Sequence, residues 1–209
     1  MLMVGNAPCP DSNFCLAHSA DAPEPAGGWP CSHPSWDHGE YKSCGTCMHC
    51  SSFRHAEEET QMALWAIFAS PLYMSADPRP GRASSIPAAS KSILLNRDVI
   101  AVSQDAAGRQ GYRVSVGRGG LQVWKRELQG GAVAVAVHNG ADHPQAAPRL
   151  DLAQVGFSAV DRVAARDLFR SAGLGVHVGS VGLDGQVASH GVIMLRLELA
   201  SAHRRWQQT

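Results

Sequence analysis

Cysteine and histidine residues near the start of the chain have the side chains best suited to chemistry. Cys44, Cys47 and Cys50 are each separated by two residues, and His49 and His55 lie close to them in the sequence. Thiolates and imidazoles at short spacings can hold zinc. Three further candidates for the same ligand set lie upstream: Cys31, His33 and His38. The spacing lacks the two C-x2-C pairs that strongly indicate a zinc site, so zinc is one of three interpretations of this segment.

The segment that contains these cysteines allows two interpretations besides zinc. All six cysteines and half of the 12 prolines lie between Ala7 and Ser52. The thiols can form disulfides if the compartment is oxidising. The segment also lacks any helical or alternating period, which is typical of an unstructured insert or of sequence foreign to the folded protein. We favour the unstructured insert and assign no metal ligand.

Other polar side chains with chemical potential are better explained by structure. Asp77 precedes Pro78, and Asp-Pro is a common turn signal, so we interpret Asp77 as a turn or cap residue rather than a pocket carboxylate. His138, His177 and His190 lie on predicted strands without ligand-like spacing. We therefore expect them to be satisfied or exposed histidines of a sheet, with no catalytic role.

The elements between residues 60 and 105 alternate between helix and strand patterns. Thr60–Ala69 is apolar on nearly every side, which predicts a helix buried on every face. Pro71–Ala76 is a short apolar run, typical of a buried strand. After the proline-containing turn at Asp77–Arg82, the sequence predicts a second, amphipathic helix that begins near Pro87. This combination indicates an α/β architecture.

From Gly111 onward the apolar residues alternate with a period of two, and glycines separate the runs. The predicted strands are Tyr112–Val116, Leu121–Leu128, Gly131–Asn139, Leu150–Leu152, Val160–Phe169, Val176–Val178 and Val187–Leu199. Short strands with glycine turns are typical of an antiparallel sandwich.

Two stretches of the chain resemble a known family. Residues 60–77, TQMALWAIFASPLYMSAD, and residues 94–114, LLNRDVIAVSQDAAGRQGYRV, are similar to glycoside hydrolase family 27. That family holds the α-galactosidases and α-N-acetylgalactosaminidases. Its corresponding stretch is the last helix, strand and helix of a (β/α)8 barrel, and Asp98–Asp105 resembles its hinge into a C-terminal β-sandwich. Met1–Asn6 also resembles the end of the family's seventh barrel strand.

The resemblance implies an α/β plus all-β fold, in which the remnant of a (β/α)8 TIM barrel is followed by an antiparallel β-sandwich. The Cys/Pro-rich disordered insert departs from the family, where the corresponding connection is short. The expected divisions are 1–6 (end of a barrel strand), 7–52 (insert), 53–105 (last helix-strand-helix of the barrel), 106–200 (β-sandwich) and 201–209 (tail).

The resemblance also implies an activity, the removal of terminal α-linked galactose with retention of configuration. A retaining glycosidase needs two carboxylates about 5–5.5 Å apart across the scissile bond. The family's Lys-Tyr-Asp nucleophile run and its Trp-Asn-Asp-Pro-Asp run do not occur in this sequence. We therefore assign no catalytic residue and expect the chain alone to be inactive. Met1 matches a methionine that lines the family's sugar pocket and is the one substrate-binding residue implied; no cofactor is implied.

Two alternatives stay open beside the α-galactosidase. The first is an α-N-acetylgalactosaminidase, since the two activities differ at a pocket that these stretches do not contain. The second is a non-catalytic β-sandwich module that binds a sugar or another partner.

The composition argues against two kinds of partner. Lys plus Arg number 18 and Asp plus Glu number 18, and this balance argues against nucleic-acid binding. No apolar run approaches the length of a membrane span, and the first residues lack the features of a signal peptide. The family suggests a secreted, lysosomal or vacuolar protein that acts on α-galactosides, and a homodimeric parent enzyme.

Overall fold

Three helices in the described part of the chain form one layer of the fold. The computed structural model describes residues 55–74, 86 and 88–200, so Met1, Asp77 and the cysteine-rich segment lie outside the described residues. The helices are α1 (His55–Ile67), α2 (Ala88–Leu94) and α3 (Arg97–Ser103). Within the described ranges, no helix is long and apolar enough to cross a bilayer.

The strands that follow pair in antiparallel fashion, as the period of two predicts. They are β1 (Tyr112–Val116), β2 (Leu121–Glu127), β3 (Val133–Asn139), β4 (Gln145–Ala146), β5 (Arg149–Asp151), β6 (Val163–Asp167), β7 (Ala172–His177), β8 (Ser180–Gly182), β9 (Gln186–Val187) and β10 (Val192–Leu199). Six of them form a sheet in the order β1-β2-β3-β10-β6-β7, while β4 pairs with β9 and β5 with β8. The periodicity does not predict β4 and β8, and it predicts one strand at Val187–Leu199 where the structure has β9 and β10 separated by a turn.

Strand β3 shows why the large sheet has a different layer on each face. Its valines, Val133, Val135 and Val137, lie on one face, and its alanines, Ala134 and Ala136, lie on the other. The valines share an apolar cluster with residues of the two small sheets and their loops: Leu150, Leu152, Val155, Phe157, Val181 and Val187. The alanines share a second cluster with the helices. Small side chains on that face let a helix lie close to the strands.

Helix α1 has one fully buried side rather than burial on every face, so that prediction is wrong. Its buried apolar residues are Met62, Ala63, Ala66 and Ile67, and they lie in the cluster that contains the alanines of β3. Leu64 and Trp65, together with Phe68 just beyond the helix, are only partly buried. The reason is that the sheet and the other helices cover α1 from one side. The helix begins at His55, with Glu57 and Glu58 in its first turn.

The buried strand predicted at Pro71–Ala76 is also wrong where the structure describes it. Tyr73 is 71% exposed and Met74 is 43% exposed. Met74 makes an isolated bridge, and the run forms no ladder within residues 71–74. A strand is buried only when neighbouring strands or helices cover it, and local apolarity does not supply those neighbours.

The predicted second helix is present as α2, and a third helix follows it directly. Asn96 separates them as the N-cap of α3, with its side-chain oxygen accepting from the Val99 amide at 3.0 Å. The same side chain donates to the Leu168 carbonyl at 2.9 Å, which attaches the helices to the end of β6. Residues 98–105, expected to be a hinge, are therefore mostly helical.

Candidate functional site

A cluster of ionisable side chains joins the start of α1 to the turn before β10. His190 Nδ1 lies 3.0 Å from Oε1 of Glu57, which is in the first turn of α1. His190 Nε2 lies 2.9 Å from Oδ1 of Asp142, which is in the loop after β3. We call these three residues the His190 clamp. One imidazole thus bridges the helical layer and the sandwich.

The backbone of His190 is held by the same two elements as its side chain. Its carbonyl accepts from Thr60 Oγ1 of α1 at 2.7 Å, and its amide donates to the Ala141 carbonyl at 3.3 Å. These contacts fix a φ of 54°, which is uncommon for a residue with a side chain. His190 therefore lies in a turn and not on a strand, which corrects the prediction. The histidine is satisfied, as expected, but by two carboxylates.

The electrostatics of the clamp favour a protonated imidazole. Hydrogen bonds with Glu57 and then with Asp142 raise the pKa of His190 above its ordinary value, against a smaller opposing effect of desolvation. His138, half-buried on β3, has its pKa lowered, first by desolvation and then by the nearby charge of His190. The two histidines are therefore driven towards different protonation states.

A second polar connection between the layers is made by Arg126 of β2, which is 1% exposed. Its Nη1 donates to the Ala66 carbonyl at 2.6 Å and to the Ser103 carbonyl at 3.2 Å. These carbonyls lie in the last turns of α1 and α3, where a positive charge complements the helix dipole. Desolvation lowers the pKa of Arg126, and the charge of Asp105 acts in the opposite direction. Its Nε has no hydrogen-bond partner among the described residues.

The end of α1 also approaches the sandwich at Gly111. The Gly111 amide donates to the Ile67 carbonyl at 2.8 Å. A Cβ at this position would lie 2.5 Å from the Lys125 carbonyl oxygen and 2.6 Å from that of Ile67. A side chain does not fit here without a backbone shift, so this position requires glycine for steric reasons.

The residues predicted to carry chemistry are not brought together within the described part of the chain. Met1, Asp77 and the cysteines lie outside the described residues, so their predicted roles stay predictions. His55 is described; it is exposed, and its Nε2 lies 3.5 Å from Glu59 Oε1. Among the described residues, no group of three or more His, Cys, Asp and Glu side chains is arranged to hold a metal ion.

Two of the three histidines expected on the sheet are found there. His138 lies on β3. His177 ends β7, and its Nε2 lies 2.9 Å from the Leu174 carbonyl oxygen. Sequence patterns miss the clamp because its members are 133 and 48 residues apart, and no spacing links them.

The two halves of this arrangement match two profiles of one enzyme family. Residues 48–105, which include all three helices, match the profile described as alpha galactosidase A. Residues 118–197, which include most of the strands, match the alpha galactosidase C-terminal beta sandwich domain. The chain belongs to glycoside hydrolase family 27. The helical layer thus corresponds to the barrel end of family 27, and the strands to its C-terminal sandwich.

Curated relatives in family 27 are much longer than this chain. The Homo sapiens protein named Alpha-galactosidase A is 47% identical over 83 residues, which is 40% of this chain and 18% of the relative. The Gallus gallus protein named Alpha-N-acetylgalactosaminidase is 34% identical over 103 residues, which is 49% of this chain and 24% of the relative. The chain therefore spans less than a quarter of either protein.

A solved structure agrees with the fold. The alpha-galactosidase I of Mortierella vinacea superposes with a TM-score of 0.62 at 23% identity, covering 70% of this chain and 36% of that protein. At this identity the likeness bears on the fold alone. It supports a barrel-end layer packed on an antiparallel β-sandwich.

Proposed function

We propose that this chain is part of a retaining glycoside hydrolase that removes terminal α-linked galactose. The observation that carries the proposal is that two α-galactosidase family models match successive parts of the chain, first the helical layer and then the sandwich. The human relative named Alpha-galactosidase A supports galactose as the sugar. The relative named Alpha-N-acetylgalactosaminidase makes the N-acetylated sugar the second candidate.

The proposed contribution of this chain is structural rather than chemical. Retention requires two carboxylates about 5–5.5 Å apart, and the family's two aspartate-containing runs do not occur in this sequence. We assign no catalytic residue to it, and Met1 remains the proposed sugar-pocket residue. In this role, the helices complete the barrel wall and the sandwich supports them from outside. In a retaining mechanism one carboxylate is the nucleophile and the other the general acid and base, and this chemistry needs no metal or organic cofactor.

Exposed apolar side chains of the helical layer support this role. Tyr73 and Met74 follow α1, and Leu95 follows α2; their exposed fractions are 71%, 43% and 61%. Apolar surface of this kind is typical of a face that another part of the protein covers. In the proposed enzyme, neighbouring barrel segments would cover it. We further propose that the enzyme is a homodimer that does not bind nucleic acid, the latter supported by the equal numbers of acidic and basic residues.

The first test is hydrolysis of two aryl glycosides, an α-galactoside and an α-N-acetylgalactosaminide. The purified 209-residue chain should turn over neither above a blank. Turnover by the chain alone would overturn the structural role.

A second test supplies the missing chemistry in trans. A family 27 barrel that lacks its own last helix-strand-helix and sandwich should be co-expressed with this chain. We expect the two to co-purify and to hydrolyse the α-galactoside faster than either part alone. Preference for the N-acetylated substrate would select the second candidate, and failure of the two parts to associate would contradict the proposal.

A further inference from the structure

The His190 clamp has a geometry that only one protonation state satisfies. Each ring nitrogen of His190 faces a carboxylate oxygen, Glu57 Oε1 at 3.0 Å and Asp142 Oδ1 at 2.9 Å. Ionised carboxylates only accept hydrogen bonds, and a neutral imidazole has only one N–H. In the neutral form, one of the two contacts would therefore place a nitrogen lone pair against a carboxylate oxygen. The imidazolium donates to both.

The clamp lies at the N-terminal end of α1, opposite the end that Arg126 and Gly111 contact. Those residues attach the C-terminal end of α1 to the sandwich. At the N-terminal end, Thr60 donates to the His190 carbonyl, and Glu57 contacts its ring. Loss of the ring contacts would leave the first turn of α1 with fewer attachments to the turn before β10. A local charge change could thus alter how firmly the helix start is docked.

We propose that the His190 clamp is a proton-dependent latch, closed in acid and loosened at higher pH, that docks the start of α1 onto the sandwich. The groups that face the ring from its surroundings are Glu57 of α1, Asp142 of the loop after β3, and His138 of β3. The two carboxylates favour the closed form, and His138 opposes it when charged. This inference concerns docking alone and stands whether or not the proposed galactosidase activity is correct.

The direction of the pH dependence follows from linkage. The folded-state pKa of His190 is raised above its ordinary value of 6.5. Its contribution to stability is therefore fully present below that ordinary value and is lost as the pH rises through the raised folded-state pKa. Desolvation lowers the pKa of His138, so that group is neutral over the same interval and does not mask the change.

The test combines a proton NMR titration of the His190 ring with melting curves across pH. In the 209-residue chain, the His190 resonance should titrate above 6.5. Asp142→Asn and Glu57→Gln should each lower that midpoint. Asp142 has a side chain 96% exposed, so its replacement should not impair folding. Titration of His190 at or below 6.5 in the unmodified chain would overturn the latch.

Melting curves separate the latch from a merely structural role. The melting temperature of the unmodified chain should fall as the pH rises above 6.5. In His190→Gln, this decrease with pH should be absent. The matched control is His177→Gln, because the His177 ring contacts the uncharged Leu174 carbonyl and, among the described residues, forms no ion pair with a carboxylate. The control should keep the full dependence. An unchanged pH profile in Asp142→Asn and His190→Gln would contradict the inference.

Discussion

Replacing Arg126 with methionine should remove one polar attachment between the sandwich and the C-terminal ends of two helices, α1 and α3. Methionine keeps much of the apolar stem of the arginine but none of its donors. The Ala66 and Ser103 carbonyls would lose the guanidinium that now lies 2.6 and 3.2 Å from them. Because Arg126 is 1% exposed, water does not reach these carbonyls without local rearrangement. The variant therefore tests whether one buried charge links the two layers.

The magnitude follows from two opposing effects. A hydrogen bond to a charged group contributes about 1.5–3 kcal/mol, so the two bonds together contribute about 3–6 kcal/mol. Removing the guanidinium also removes its buried Nε, which has no partner among the described residues. An unsatisfied buried polar group costs about 1–3 kcal/mol, so its removal offsets part of the loss. The central values of these ranges, about 4.5 and about 2 kcal/mol, give an expected net decrease in the free energy of unfolding of about 2.5 kcal/mol.

Urea unfolding of the 209-residue chain, followed by tryptophan fluorescence, measures this decrease. Trp65 and Trp124 both lie against the core that the helices share with the sheet, so the signal reports on their separation. Arg109→Met is the matched control, because its side chain is 64% exposed and pairs with Glu127 at 2.8 Å. An exposed pair of this kind contributes about 0–1 kcal/mol. If Arg126→Met loses no more stability than the control, with the same urea dependence, the argument is refuted.

Substitution of Gly111, with Gly182 as its control, tests close packing, and substitution of Asn139 tests buried hydrogen bonding. Gly111→Ala should lower the free energy of unfolding by about 1–3 kcal/mol, because its Cβ would overlap the Ile67 and Lys125 carbonyls. Gly182→Ala, where nothing lies within 4 Å of the added Cβ, should be nearly neutral; equal losses in the same urea assay would contradict the steric argument. Asn139→Ala should cost about 2–3 kcal/mol by thermal melting, since a fully buried amide leaves several backbone partners unpaired. A loss under about 0.5 kcal/mol would show that water replaces the amide.

The sequence predicts the sheet well because alternation is a local property. In β3, valines and alanines follow one another in register with the two faces, so the residue types alone indicate a strand buried on both sides. The first two helices are also predicted from local apolar patterns, whereas α3, which Asn96 caps, is not predicted. These local signals do not indicate which elements pack against each face of the sheet.

Features that depend on distant partners are predicted less well. The run from Pro71 to Met74 is as apolar as a buried strand, but its burial depends on neighbours elsewhere in the barrel. The position of His190 escapes prediction for a related reason. Thr60 and Ala141, which lie on other elements, contact the His190 backbone and impose its positive φ. A histidine, unlike a glycine, does not itself indicate a positive φ.

The shared apolar cluster beneath α1 limits how this part of family 27 can be rearranged in evolution. Ala134, Ala136 and Met194 of the sheet are covered by α1 and are fully buried. A sandwich transferred to another protein without that helix would expose them to water. Transfer of the sandwich alone would therefore require either this helix or another apolar element to cover the same face.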